Sequence, residues 1–402
     1  MRILNVTQSY APFFEFGGPP VKVKALAEGI ARAGHDVTVL TADWGVRERL
    51  RPSAKATVLQ ESPFGTVSKQ DGVTAIYLPN RLHYRAASWN PTVERYLNAE
   101  LVGFQIAHIF GLYDLLGPGV AAECRKRKIP YVVEPIGMFV PIVRNVFLKR
   151  VYYHLWGREM LHCAAAIIAT AERERDELVA GGIPERKIVL RRNGVERPDS
   201  LPPAGLFRKD LNLPEEVPLI LFLGRLSQKK SPDLLLKAFA ALSGAGGSRR
   251  EPHLAFVGPD ESSMRGKLQE LAAKRRVAHR VHFRAAMEGD AKWAAYRDAN
   301  IFVLPSQNEN FGNTAAEAVA AGTPVIVTEH CGIAPLLNGV AAIVVKHDEV
   351  DLRNAMARLL GDSELEGKLH DGCATAIAQL GWEQPLQQME EIYASLVAPA
   401  FA

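Results

Sequence analysis

Apolar residues in this chain fall either in short continuous runs or at helical spacing, and the two patterns alternate from one end to the other. Arg2-Ile3-Leu4-Asn5-Val6 reads as a short strand, and a loop carrying Gly17-Gly18 follows it. A helix is predicted to begin near Pro19-Pro20, because proline suits a first helical turn. Val23, Leu26, Ala27 and Ile30 then fall at i, i+3, i+4 and i+7, one apolar stripe that ends before Gly34. "HDVTVLT" is the next strand. Strand, helix and strand in this order open a parallel, doubly wound sheet.

The same grammar fills the first half. "FQIAHIFGL" and "PYVVEPIGM" are strands running into loops, "AAAIIATAERERDELVAGG" is a strand and then a helix, and "KIVLRRNGV" closes on an Asn-Gly turn. Residues 196–217, rich in proline and polar side chains and without a period, predict a linker. Beyond it the pattern restarts. "PLILFLG", "HLAFVG", "VHFRA", "NIFVLPS" and "TPVIVT" read as strands, with helices over "SPDLLLKAFAAL", "RGKLQELAAKR", "AAEAVAA" and the C-terminal stretch. The expected fold is α/β, two Rossmann-like doubly wound domains facing across a ligand cleft. The boundaries are 1–195 for the first domain, 218–380 for the second, and 381–402 for a helix returning to the first. Loops at the carboxyl ends of strands are expected to line the cleft.

Composition fits this picture. A chain of 402 residues exceeds one ordinary core, and 48% hydrophobic with 23% charged residues is the balance of a globular protein. The net charge of +4 slightly favours anionic small ligands or an anionic surface, and falls short of a nucleic-acid binder. Cys124, Cys163, Cys331 and Cys373 have neither metal-ligand nor Cys-x-x-Cys spacing, so reduced, buried thiols in a cytosolic protein are expected. "MRILNVTQSYAPF" lacks the apolar run of a signal peptide, and no window resembles a membrane span.

Candidate chemistry concentrates in the second half. Arg225 and Lys230 follow the strand that ends at Gly224, and Ser231-Pro232 reads as N-cap and first turn of a helix. Cations at a strand's carboxyl end beside a helix start make an anion site, or else a solvated basic loop. "NENFGNTAAEAVAAGTPV" repeats the design: Gly312 permits close backbone approach, and a helix is predicted from Asn313 or Thr314 to Gly322. Glu309 then lies in the loop and Glu317 about one turn inside the helix, roughly 80° apart at about 100° per residue. Two acceptor-only groups suit a hydroxyl-rich ligand lying across the helix start, with Arg225 and Lys230 balancing their charge. The plainer alternative is a dipole-stabilising helix acid and a surface loop acid.

Read together, "GRLSQKK", "RRNGVE", "ENFGNTAAE" and "AGTPVIVT" resemble family 4 of the retaining glycosyltransferases, the group 1 glycosyltransferases of GT-B fold. "GGPPVKVKALAEGIARAGHDVTVLT", "YVVEPIGM" and "GWEQPLQQMEEIYASL" extend the resemblance over nearly the whole chain. The resemblance implies a hexose transferred from a nucleotide-diphosphate sugar to a saccharide or lipid-linked acceptor, in polysaccharide or glycoconjugate synthesis, with no metal and no other cofactor. Position by position, it implies that Arg225 and Lys230 grip the diphosphate and Glu309 binds donor-sugar hydroxyls. The backbone of Phe311, Gly312, Asn313 and Thr314 would aid both, and Glu317 would hold the ribose. The absence of any Asp-x-Asp agrees with a metal-independent enzyme.

On the acceptor side the resemblance points to Gly17, Gly18, Gly137, Met138 and His108. Gly17-Gly18 could close over a phosphate or sugar, or be a plain tight turn. His108 is expected to face the cleft, or else to be a hydrogen-bonded core residue, and Phe110 stands where the family often has a second histidine. Residues 143–158 mix Arg144, Lys149, Arg150 and Arg158 with Phe147, Tyr152, Tyr153 and Trp156. That mixture suits a helix on an anionic membrane surface, at the inner face of the membrane, or a partly buried helix with solvated cations. An epimerase or sugar(-phosphate) synthase of the same fold and a non-catalytic ligand binder are the competing readings. A dinucleotide-dependent oxidoreductase is disfavoured, since neither half opens its helix with Gly-x-Gly-x-x-Gly.

Overall fold

Leucine, isoleucine and valine runs build two large sheets, beside a small two-stranded one, in a computed structural model that describes residues 1–50, 58–84, 87–141, 145–242 and 251–397. The chain divides into one unit of Met1–Asn193 with Trp382–Ala402 and a second of Gly194–Gly381.

The first unit carries nine strands in the order Ile188–Leu190, Ala166–Ala169, Tyr131–Glu134, Ile106–Phe110, Arg2–Thr7, Asp36–Ala42, Val73–Leu78, Gly65–Gln70 and Val58–Ser62. The run from Ile188–Leu190 to Val73–Leu78 is parallel, and the last two strands are antiparallel. Its central strand buries Ile3, Leu4 and Val6 alike, as a strand covered on both faces must. The antiparallel edge is absent from the sequence reading. Its signal was present: Asp71 and Gly72 both take positive φ, the geometry of a two-residue hairpin turn. The stripe of Val23, Leu26, Ala27 and Ile30 is buried on the helix Gly18–Arg32. The final helix, Glu383–Val397, packs Met389 and Tyr393 into the same cluster. Gly29 is bare because Leu386 fills the space a Cβ would need.

The second unit holds six parallel strands in the order Val281–Arg284, His253–Val257, Leu219–Leu223, Ile301–Leu304, Val325–Thr328 and Ala342–Val345. Numbered along the chain this is 3-2-1-4-5-6, the doubly wound order whose direction reverses between Leu219–Leu223 and Ile301–Leu304. Ligands bind such sheets at the carboxyl ends of the two strands flanking the reversal.

Residues 196–217, expected to be a linker, belong to this second unit. They form the helix Leu206–Leu211 and bury Phe207 and Leu211 in the core. Asp298 accepts the N–H groups of Gly205, Phe207 and Arg208 at 2.7, 2.7 and 3.1 Å. The Arg208 guanidinium donates to the carbonyls of Asp298, Pro214 and Val217. Partners some ninety positions away hold the segment, so no local period could announce it. The thiols also depart in part from expectation. Cys124, Cys331 and Cys373 are buried, but Cys163 is exposed, because it caps the short helix Arg158–His162 at the surface. Among the described residues no helix is long and apolar enough to cross a membrane.

Candidate functional site

The site grows from the two loops at the switch point of the second unit. Leu219–Leu223 ends at Gly224, which has φ +151°. The neighbouring strand His253–Val257 ends at Gly258, with φ +146°, and a Cβ there would collide with the Gly224 carbonyl. Gly258 is therefore needed for the two backbones to pass, and Gly224 for its positive φ. Beyond them Leu226 and Asp260 pair as an isolated parallel bridge, which carries the chain to the turn Gln228–Lys230.

The partner loop leaves Ile301–Leu304 and reaches the helix Asn313–Ala320 at Gly312, φ +112°. A Gly312 Cβ would press on Ile333, so this turn is closed to larger residues. Gln307 N–H donates to the Lys229 carbonyl at 3.0 Å and joins the two loops. Glu309 and Phe311 are laced to the loop after Val325–Thr328. Glu309 N–H donates to His330, Gly332 N–H to the Glu309 carbonyl, and Ile333 N–H to Phe311 at 2.7 Å. That third loop is missing from the sequence reading.

On this frame the Lys230 ammonium contacts the Glu309 carboxylate. Both are largely buried, their side chains 16% and 19% exposed. Burial pushes the Glu309 carboxyl up, but Lys230, with Lys229 and Arg225 behind it, outweighs burial and holds it below its ordinary value. Arg225 is half exposed and stands 3.8 Å from Glu261. The Ser231 side chain does not cap the next helix as expected. Ser231 takes φ +49°, and its hydroxyl donates to the Gln228 carbonyl and meets His347 Nε2 at 2.9 Å, which tightens the turn that presents Lys230.

An α-helix leaves its first N–H groups without acceptors inside the helix, and the start at Asn313 and Thr314 adds the positive end of the dipole. Glu317 sits one turn further in. One of its oxygens accepts from Lys292 at 2.9 Å and the other from the Tyr296 hydroxyl at 2.8 Å. Burial and then the Glu317 charge push the Tyr296 hydroxyl far up, so it stays a donor. Lys292 and Tyr296 were not recognised in the sequence, although their i, i+4 spacing on the helix Gly289–Asp298 was available. The second unit thus gathers Arg225, Lys230, Glu309, Phe311, Gly312, Asn313, Thr314 and Glu317 around one strand-end region. A cavity of about 530 Å³, lined by Arg197, Arg297, Asn300, Thr323, Glu366 and His370, lies instead where Ile301–Leu304 and Val325–Thr328 begin.

In the first unit Gly17, at φ +97°, precedes the helix that starts at Gly18, on the loop leaving Arg2–Thr7. Gly137, at φ +67°, follows Tyr131–Glu134, and its N–H donates to Glu174. The Met138 thioether accepts the Leu112 N–H at 3.4 Å. All lie beyond the carboxyl ends of parallel strands in one sheet.

Of the two places expected for His108, the structure gives the hydrogen-bonded core position and not one facing a cleft: it is wholly buried within the unit, facing the final helix. Its Nδ1 meets the Tyr393 hydroxyl at 2.7 Å, and Phe110 stacks on it with centroids 3.9 Å apart. Burial pushes its pKa down to about 3, with Arg191 and Lys22 acting against the pull of Glu134. The reason is periodic: His108 shares a strand face with Ile106 and Phe110, and that face is core. Beside it Glu134, fully buried, contacts Lys22 and accepts from Arg191 at 2.7 Å.

Two family descriptions match the chain, "Glycosyl transferase 4-like domain" over residues 17–194 and "Glycosyl transferases group 1" over residues 205–372. The chain belongs to the group 1 glycosyltransferases. This glycosyltransferase is 35% identical over 249 residues to a D-inositol 3-phosphate glycosyltransferase of Streptomyces bingchenggensis, a match covering 59% of the chain and 54% of the relative. It thus spans about half the length of the first curated relatives it matches. Among solved structures, a sucrose-phosphate synthase from Thermosynechococcus elongatus superposes with TM-score 0.77 at 21% identity, covering 99% of this chain and 100% of that one. An Anabaena HepE structure in complex with UDP and glucose gives 0.75 at 16% identity, covering 98% and 100%. These likenesses establish that the glycosyltransferase has the GT-B fold, two Rossmann-like domains.

Proposed function

We propose that this glycosyltransferase moves a hexose from a nucleotide-diphosphate sugar to a saccharide or lipid-linked saccharide acceptor with retention of configuration, in polysaccharide or glycoconjugate synthesis. The observation that carries the proposal is the Lys230–Glu309 contact beside the start of Asn313–Ala320, at the sheet's switch point. The diphosphate would lie against the helix start with Lys230 and Arg225. Negative charge grows on the departing phosphate as the glycosidic bond to it breaks, and fixed cations there lower the barrier. Glu309 would accept from donor-sugar hydroxyls and Glu317 from the ribose. Each carboxylate oxygen of Glu317 keeps a second lone pair beyond its bond to Lys292 or Tyr296.

The HepE complex makes UDP-glucose the first donor to test, and the inositol-phosphate relatives put phosphorylated polyols among the acceptors. Incubation with a panel of nucleotide sugars and acceptors is expected to release nucleoside diphosphate and form a glycoside. Arg225 and Lys230 would supply the charge a metal supplies elsewhere, so turnover is expected to persist in EDTA. Product analysis separates transfer from an epimerase or synthase. Turnover unchanged in both Glu309→Ala and Arg225→Ala would refute these roles.

Tyr296→Phe removes one donor that orients Glu317 while keeping the buried ring. It is expected to raise the donor KM roughly three- to tenfold, the worth of one such hydrogen bond, with little change in kcat. A fall in kcat at constant KM would argue against ribose binding by Glu317.

A further inference from the structure

The segment after the Gly137–Met138 loop presents apolar side chains to solvent in a pattern that the transfer chemistry leaves unused. It runs as an α-turn, Val146–Tyr152, a π-turn, Tyr153–Gly157, and a short helix, Arg158–His162. Its inner side is anchored. Tyr152, Gly157, Met160 and Leu161 are buried, and the Tyr152 and Tyr153 rings meet Tyr113 and Phe139 edge-on at 5.3 and 5.7 Å.

The outer side carries two rows. Phe147, Val151 and Leu155 repeat every four residues and are 76%, 38% and 59% exposed, with Leu148 and Trp156 exposed beside them. Arg150, His154 and Arg158 repeat at the same interval and are exposed as well. The one acid exposed on this stretch, Glu159, is paired with Arg125 at 2.7 Å. An apolar row flanked by a cationic row, with a half-exposed tryptophan, is the composition of a helix lying in a membrane interface. Its charge complements anionic headgroups.

We propose that this face docks on an anionic lipid surface, with Phe147, Val151, Leu155 and Trp156 in the headgroup–acyl boundary and Arg150 and Arg158 on the phosphates. The docking is independent of the donor chemistry above, and of which acceptor is used.

Flotation of the full chain with vesicles tests it. The protein is expected to float with vesicles of one part phosphatidylglycerol to two parts phosphatidylcholine, to stay behind with phosphatidylcholine alone, and to be released by salt. The pair Phe147→Asp/Leu155→Asp is expected to abolish flotation. The pair Arg150→Gln/Arg158→Gln is expected to weaken partitioning about thirtyfold at low salt, roughly fivefold per cation. Both should keep the wild-type melting temperature and turnover of a soluble acceptor. Should the aspartate pair fail to fold, the glutamine pair, which alters only exposed groups, carries the test. The proposal is overturned if the chain ignores anionic vesicles, if it floats equally on neutral ones, or if both variants bind as wild type. It is also overturned if the chain is a dimer that the aspartate pair splits, since the face would then belong to a second copy.

Discussion

Lys230→Met is expected to lower kcat by about two to three orders of magnitude, the loss seen when one preorganised charge aimed at a developing anion is removed. Lys230 is largely buried beside Glu309, so water cannot replace it, and its loss leaves the Glu309 carboxylate facing the diphosphate with less opposing charge. Arg225→Met is expected to cost less, because Arg225 is half exposed and already shared with Glu261. Steady-state kinetics with single-turnover controls at saturating donor measure both effects. A Lys230→Met enzyme within about threefold of wild-type kcat would remove Lys230 from the reaction. The Glu309 pKa adds a sign. It is held below the ordinary carboxylate value, so the Lys230–Glu309 pair contributes stability above that value, lost as pH falls through the lowered one.

The largest expected effect on folding lies in the other unit. Glu134→Ala is expected to destabilise it by about 3–5 kcal/mol, because it strands two buried cations, Lys22 and Arg191, without their counter-charge. Burial alone would push the Glu134 carboxyl up, yet Arg191 and Lys22 hold it below its ordinary value, so the charged pairing prevails in the folded state. Thermal or urea unfolding of the full chain should show an early transition, about 10 °C or more below wild type at a few degrees per kcal/mol. Removing all three charges together, as Lys22→Met, Glu134→Leu and Arg191→Met, should recover much of the loss. A Glu134→Ala melting curve that overlays wild type would show the cluster to be energetically neutral.

The cluster also shows where reading the sequence stops. Lys22 stood in the apolar stripe of a helix, Glu134 at the end of an apolar run and Arg191 in a basic pair, and each alone reads as a surface charge. The parallel order of the sheet, with Tyr131–Glu134 between Ile106–Phe110 on one side and Ala166–Ala169 and Ile188–Leu190 on the other, under the helix from Gly18, brings them together. The two readings of His108 stayed open for the same reason. A histidine in a strand is legible, but whether its face meets solvent or the final helix depends on residues nearly three hundred positions away.

What the sequence determined by itself was whatever is local. Strand and helix periods, the glycines at Gly224 and Gly312, and the order of Arg225, Lys230, Glu309 and Glu317 along the chain all follow from spacing and backbone freedom. These sufficed for two Rossmann-like halves and for a candidate anion site in the second. Tertiary structure alone decided the rest: that Phe207 and Leu211, within the expected linker, join the core of the second unit, that Lys292 and Tyr296 hold Glu317, and that the loop at His330 braces Glu309. The physical reason is that periodicity records how a residue meets its own helix or strand, while hydrogen bonds and charge pairs across long loops leave no period to read.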